Sequence, residues 1–217
     1  MSEHDPGTIH EFARRVLGEN VRVIEALSAD DVARFVSRVD AARQRNAHVY
    51  LAGNGGSAAT ASHMTCDLMK AAGAKGQPAV KAMCLSDCVP AITAIANDEN
   101  FSEIFSRQLA VHGVAGDVLI AVSGSGRSPN ILQALKVARG LGLETLGLLG
   151  MGGGEALGLC DVAVVADSTD YEIIENAHMA VAHLMSARLR DHAESADAAI
   201  SPGFLTAALH DSVDAPK

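Results

Sequence analysis

An α/β fold is predicted for this chain: a parallel sheet with helices on both faces, preceded by a pair of N-terminal helices. Three observations predict it. From residue 48 onward, short apolar runs alternate with stretches of helical periodicity. Those runs, HVYLA (48–52), AVKAMCL (79–85), DVLIAVS (117–123), ETLGLLG (144–150) and DVAVVA (162–167), are nearly unbroken, as strands buried on both faces require. The 217 residues are 48% hydrophobic and 20% charged, enough apolar material for one sizeable core.

The elements follow in order. Thr8 caps a first helix whose apolar residues Ile9, Phe12, Val16, Val21 and Ile24 recur near helical spacing. Ser28 caps a second, with Asp30 and Asp31 in its first turn and Val32, Phe35, Val36 and Val39 on one stripe. The pair spans residues 1–46, and its apolar face is expected to serve as an oligomer contact. Helical patterns then fall near 57–71, 88–96, 103–112, 129–140 and 171–192, between or after the strands. Residues 47–195 form the main domain. The Ala-, Asp- and Ser-rich tail, 196–217, reads as peripheral, with FLTAAL (204–209) able to dock.

Composition narrows the function. A net charge of −9 repels a nucleic-acid backbone, and no basic stripe with interleaved aromatics is present; no nucleic-acid partner is expected. No run approaches the ~20 apolar residues that span a bilayer, and the N-terminus lacks the pattern of a signal peptide. Cys66, Cys84, Cys88 and Cys160 form no CxxC pair and read as reduced thiols. A cytoplasmic protein with no membrane partner is expected.

In a parallel sheet, ligands bind beyond the carboxyl ends of the strands. Two loops there are unusual. Gly53-Asn54-Gly55-Gly56-Ser57 follows the first strand, and Ser123-Gly124-Ser125-Gly126-Arg127-Ser128-Pro129-Asn130 ends the third; each leads straight into a helix. Glycines let backbone N–H groups converge on an anion, the helix N-terminus adds partial positive charge, and serine hydroxyls donate further hydrogen bonds. Residues 53–58 also fit GxGxxA, with Asp87 closing the next strand, but the serine-rich loop has no place in a dinucleotide fingerprint and suits a monophosphate. A third glycine-rich turn, residues 150–154, either closes the site or merely connects two elements.

Four segments in order, GNGGSAATASH (53–63), AIANDENFSEIFSRQL (94–109), GDVLIAVSGSGRSPNIL (116–132) and ENAHMAVAH (175–183), resemble the sugar isomerase (SIS) domain family and, within it, the phosphoheptose isomerases. The resemblance covers about residues 8 to 192. It implies a three-layer αβα sandwich on a five-stranded parallel sheet, a homotetramer with shared active sites, and interconversion of sedoheptulose 7-phosphate with an aldoheptose phosphate. It also implies a zinc ion in each site. Ser57, Ser123, Ser125 and Ser128 match the phosphate-binding serines, with Gly55, Gly56 and Gly124 in the same loops. Asn54 and Asp98 match residues lining the sugar site, although Asp98 could equally serve a turn within Asn97-Asp98-Glu99-Asn100. His63 and His183 match two zinc-binding histidines.

The chain departs from that family at four positions. Asp67 stands in place of a catalytic Glu, Glu175 in place of Gln, Gly124 in place of Thr, and Arg127 where a small polar residue is usual. His63 and Asp67 are four apart on one helix face, and Glu175 and His183 are eight apart. With the resemblance, His63, Asp67, Glu175 and His183 make a ligand set suited to Zn²⁺. Aldose–ketose isomerisation through an enediol needs a base for the carbon-bound proton; Asp67 or Glu175 fills that role, with His183 as the partner acid/base. Glu175 is also expected to touch substrate. His48 and His178 are read as ordinary structural histidines. Two alternatives stand beside the isomerase: a non-catalytic SIS protein that binds a phosphosugar or a protein partner, as regulators of replication initiation do, and an isomerase for another phosphosugar.

Overall fold

The computed structural model describes residues 8–70 and 78–197; the FLTAAL segment lies outside them. Its centre is a five-stranded, wholly parallel sheet in the order β2-β1-β3-β4-β5. The strands are β1 (His48–Gly53), β2 (Lys81–Cys84), β3 (Val118–Ser123), β4 (Glu144–Gly150) and β5 (Val162–Ala166). Each apolar run became a strand because helices cover both faces and leave no side for polar residues. In β3 all six residues are buried.

Alternation along the strands sorts residues into two cores. Val49, Leu51, Ile120, Val122 and Leu148 meet one set of helices. That set comprises α2 (Ala29–Gln44), α3 (Gly56–Lys70) and α7 (Tyr171–Asp197), which contribute Phe35, Met64 and Met185. Tyr50, Ala52, Leu119 and Ala121 face the opposite side. There α4 (Val89–Asp98), α5 (Ser106–His112) and α6 (Pro129–Gly140) supply Ile95, Leu109, Ile131 and Leu135. The sequence pattern over 103–112 resolves into a short 3₁₀ turn at Phe101–Glu103 followed by α5. The second run contributes only four residues of strand, as suits an edge.

Helix α1 (Ile9–Glu25) starts with a capping box: the Thr8 hydroxyl accepts from the Glu11 N–H and the Glu11 carboxylate accepts from the Thr8 N–H. Ser28 caps α2 by accepting from the Asp31 N–H. The stripe that marked α1 as amphipathic does not face the core. Ile9 is 81% exposed, Val21 54% and Ile24 40%, while Val23 alone is buried, against Ile173, Ile174 and Ala177 of α7. None of the described helices is long and apolar enough to cross a membrane, and the four cysteines are free thiols.

Candidate active site

In the strand order β2-β1-β3-β4-β5, β1 and β3 are neighbours whose chains depart to opposite sides, so a crevice opens beyond their carboxyl ends. Both unusual loops lie at this switch point. Gly55 makes the turn out of β1 at φ +54°, and Ser57 enters the first turn of α3, nearly buried. Ser86 braces the start of this loop, donating to the Gly53 carbonyl at 2.8 Å and accepting from the Gly53 N–H at 3.2 Å.

The serine loop is held from beneath. Gly126 turns at φ +61°, and a Cβ there would strike the Gly153 carbonyl. A Cβ on Gly154 would meet the Gly126 carbonyl oxygen at 2.7 Å, and the Ala156 N–H donates to that same oxygen at 2.9 Å. The third glycine-rich turn is therefore the bed on which the serine loop rests. Within the loop, the Ser123 hydroxyl accepts from the Gly126 N–H at 3.0 Å. The two halves of the crevice are tied by side-chain amides: Asn54 Nδ2 donates to Asn130 Oδ1 at 2.9 Å, and Asn130 Nδ2 donates back to Asn54 Oδ1 at 2.8 Å.

Between the halves lies a cavity of about 310 Å³, lined by Asn54, Gly55, Gly56, Ser57, Val122, Ser123, Gly124, Ser125, Ser128, Tyr171 and Glu175. The motif serines, glycines and Asn54 thus converge on it. Backbone N–H groups, hydroxyls and the N-terminal ends of α3 and α6 suit it to an anion, and among the described residues no lysine or arginine lines it. Its one charged lining group is the Glu175 carboxylate, which lies against the Gly56 Cα so closely that a Cβ on Gly56 would overlap it.

A second group sits further along the same two helices. His63 Nε2 of α3 lies 3.0 Å from His183 Nε2 of α7 and 3.6 Å from Asp67 Oδ2. One donor atom from each of the three lies within 4.8 Å of the others. A tetrahedral ion with bonds of about 2.1 Å separates its ligand atoms by about 3.4 Å, and these spacings bracket that value. Two imidazoles and a carboxylate therefore fit zinc in chemistry and spacing. Among the described residues of one protomer, Glu175 does not join this group. It lies eight residues before His183, about 12 Å along the axis, and its side chain turns to Gly56 instead.

Asp98 does not reach the cavity. It ends α4 in an exposed position and accepts from Asn97 Nδ2 at 2.8 Å, while Asn100 Oδ1 accepts from the Ser102 N–H, so this cluster shows turn chemistry. Three residues that sequence reasoning passed over belong to the site: Asn130, Ser86 and Tyr171. Asn130 was inside the quoted loop, and Tyr171 stands one helical turn before Glu175, a spacing that places both on one face. His178 is structural. It is 1% exposed, burial pushes its imidazole down to about 4, and Nε2 donates to the Leu149 carbonyl at 3.0 Å, pinning α7 to the end of β4.

Known proteins share this fold. The model of the SIS domain family matches residues 13–150. The phosphoheptose isomerase of Desulfovibrio desulfuricans is 40% identical over 148 residues, 68% of this chain and 70% of that protein. That of Rhodospirillum rubrum is 38% identical over 163 residues, 75% of this chain and 86% of that protein. The solved structure of a phosphoheptose isomerase from Neisseria gonorrhoeae superposes with a TM-score of 0.78 at 27% identity, covering 85% of this chain and all of that one. A crevice at the β1/β3 switch point, lined by two glycine–serine loops, is what these likenesses lead one to find, and the chain belongs to the SIS domain family, among the relatives of the phosphoheptose isomerases.

Proposed function

We propose that this protein is a sugar-phosphate isomerase that interconverts sedoheptulose 7-phosphate and an aldoheptose 7-phosphate. One observation carries the reading. Helices α3 and α7 run side by side from a polar anion cradle at their first turns to a His/Asp/His group about two turns on. The phosphate takes the hydroxyls of Ser57, Ser123, Ser125 and Ser128 and the N–H groups of the two loops. The reacting carbons lie toward α3 and α7.

The reaction moves protons without net gain or loss of atoms. One leaves C1 of the ketose as the C2 oxygen is protonated, giving an enediol; a proton then returns to C2 while the C1 hydroxyl gives up its own. Glu175, the carboxylate within the cavity, carries the carbon-bound proton, since Asp67 is engaged with His63. His183 serves the oxygens through Nδ1, which makes no hydrogen bond with the described residues. His63, Asp67 and His183 would hold one zinc ion per site, and such an ion supplies Lewis-acid polarisation of the substrate oxygens. The exposed stripe of α1, with Ile9 at 81%, supports a homo-oligomer, a tetramer by family likeness; the proposed location is the cytoplasm.

The test is deuterium incorporation from solvent into sedoheptulose 7-phosphate, followed by NMR with purified protein and added zinc. Label next to the carbonyl together with an aldose product is expected. Saturable binding of the phosphosugar with no exchange would overturn the isomerase in favour of a non-catalytic sensor.

A further inference from the structure

The cavity has one wall that no phosphate-loop motif supplies. Tyr171 opens α7, is 53% exposed, and lines the cavity beside the serine loop. Its ring lies on the Gly124 Cα: a Cβ built there would stand 2.9 Å from Cδ1 and 3.0 Å from Cε1, with Ile174 Cγ2 next at 3.8 Å. Gly124 does not have a positive φ, so the backbone imposes no glycine there. The ring does. A loop that carries serine at 123, 125 and 128 thus gives up its side chain at 124 to make room for a phenol from another element.

The start of α7, which carries that phenol, is well fixed. Asp170 Oδ1 accepts from the N–H groups of Glu172 and Ile173, setting the start of α7, and Ile173 and Ile174 are buried at 3% and 0%. The Tyr171 hydroxyl itself makes no hydrogen bond with any described residue. A phenol without a hydrogen-bond partner among the described residues therefore lines a cavity whose other donors are hydroxyls and backbone N–H groups.

We propose that Tyr171 is a substrate-binding residue whose phenol donates to an oxygen at the phosphate end of the bound phosphosugar, occupying the space and the role of a hydroxylated side chain at 124. This rests on the phosphosugar reading of the cavity. A hydrogen bond to a charged oxygen contributes roughly tenfold or more in affinity, and losing it affects ground state and transition state alike.

The experiment measures KM and kcat for sedoheptulose 7-phosphate, and inhibition by inorganic phosphate, for wild type, Tyr171→Phe, Gly124→Ser, the double variant Gly124→Ser/Tyr171→Ala, and Ser125→Ala. Tyr171→Phe is expected to raise KM and the phosphate inhibition constant about tenfold while kcat changes little. Gly124→Ser alone displaces the ring and weakens binding similarly, and the double variant recovers most of the loss because the serine then has its space. Tyr171→Phe within twofold of wild type, beside a Ser125→Ala that weakens phosphate binding, would overturn the role of Tyr171 alone. Ser125→Ala without effect on phosphate inhibition would overturn the phosphate cradle and Tyr171 with it.

Discussion

Replacing Gly56 by alanine inserts one methyl group between the first turn of α3 and the Glu175 carboxylate. The added Cβ would overlap both carboxylate oxygens and Cδ, and nothing else is nearer. Gly56 has no positive φ, and the obstructing atoms are the end of a flexible side chain, so the backbone need not move. Alanine is also the better helix former by up to about 1 kcal/mol, so folding stability should stay within about 1 kcal/mol of wild type. The carboxylate, however, must retreat by roughly 1 Å, and displacements of that size in a reacting group cost on the order of 10²-fold in rate. Turnover of sedoheptulose 7-phosphate and thermal unfolding measured on the same preparation read the two effects apart. An unchanged melting temperature with kcat down about 10²-fold is expected, and adding Glu175→Gln to Gly56→Ala should cost no more than Glu175→Gln alone. A Gly56→Ala enzyme that folds normally and retains turnover within about threefold would refute the assignment of Glu175 and move the carbon-bound proton to Asp67.

Three further outcomes follow from the geometry. Gly126→Ala meets both a positive φ and the Gly153 carbonyl and should lose roughly 2–4 kcal/mol in urea unfolding, whereas Gly55→Ala, with nothing within 4 Å of its Cβ, should lose only about 1 kcal/mol. Asn130→Ala leaves Asn54 without its partner; a stability loss of about 1–3 kcal/mol and a raised KM are expected from unfolding and steady-state kinetics. His178 is depressed from 6.5 to about 4 in the folded protein by burial, so the unfolded chain binds the extra proton across that window. Stability is complete above pH 6.5 and falls by about 3 kcal/mol as pH drops through 4, and His178→Gln should flatten that part of the pH profile in chemical unfolding.

Much of the fold could be read from the chain because parallel strands buried on both faces leave little latitude in composition: β4 runs over residues 144–150 and α6 over 129–140, as their patterns indicate. Pro129 marks the helix start without ambiguity, since its fixed φ and missing N–H suit only the first turn. The α1 stripe was legible as amphipathic and as a candidate contact face, and its exposure agrees, but periodicity reports that a face is apolar and not what covers it. The site divided in the same way. Loop residues such as Ser57 and Ser125 announce themselves through local chemistry. The eight residues between Glu175 and His183 already set them about 12 Å apart along α7, whereas the seating of Glu175 against Gly56 depends on how α7 packs on α3. Tyr171 belongs to no motif, and its importance appears only when its ring is seen lying on Gly124.

Among the described residues no lysine or arginine lines the cavity, and this has a kinetic consequence. On the proposed reading, a phosphate held by the dipoles of the described residues, on a molecule of net charge −9, is selected by hydrogen-bond geometry once it arrives, but it is not drawn in from a distance. Long-range forces oppose the approach of the anionic substrate. Screening over a Debye length of about 10 Å at 0.1 M salt removes that opposition while leaving the short hydrogen bonds of the cradle intact. Substrate capture should therefore quicken as ionic strength rises toward physiological values, the reverse of what a cationic phosphate pocket shows.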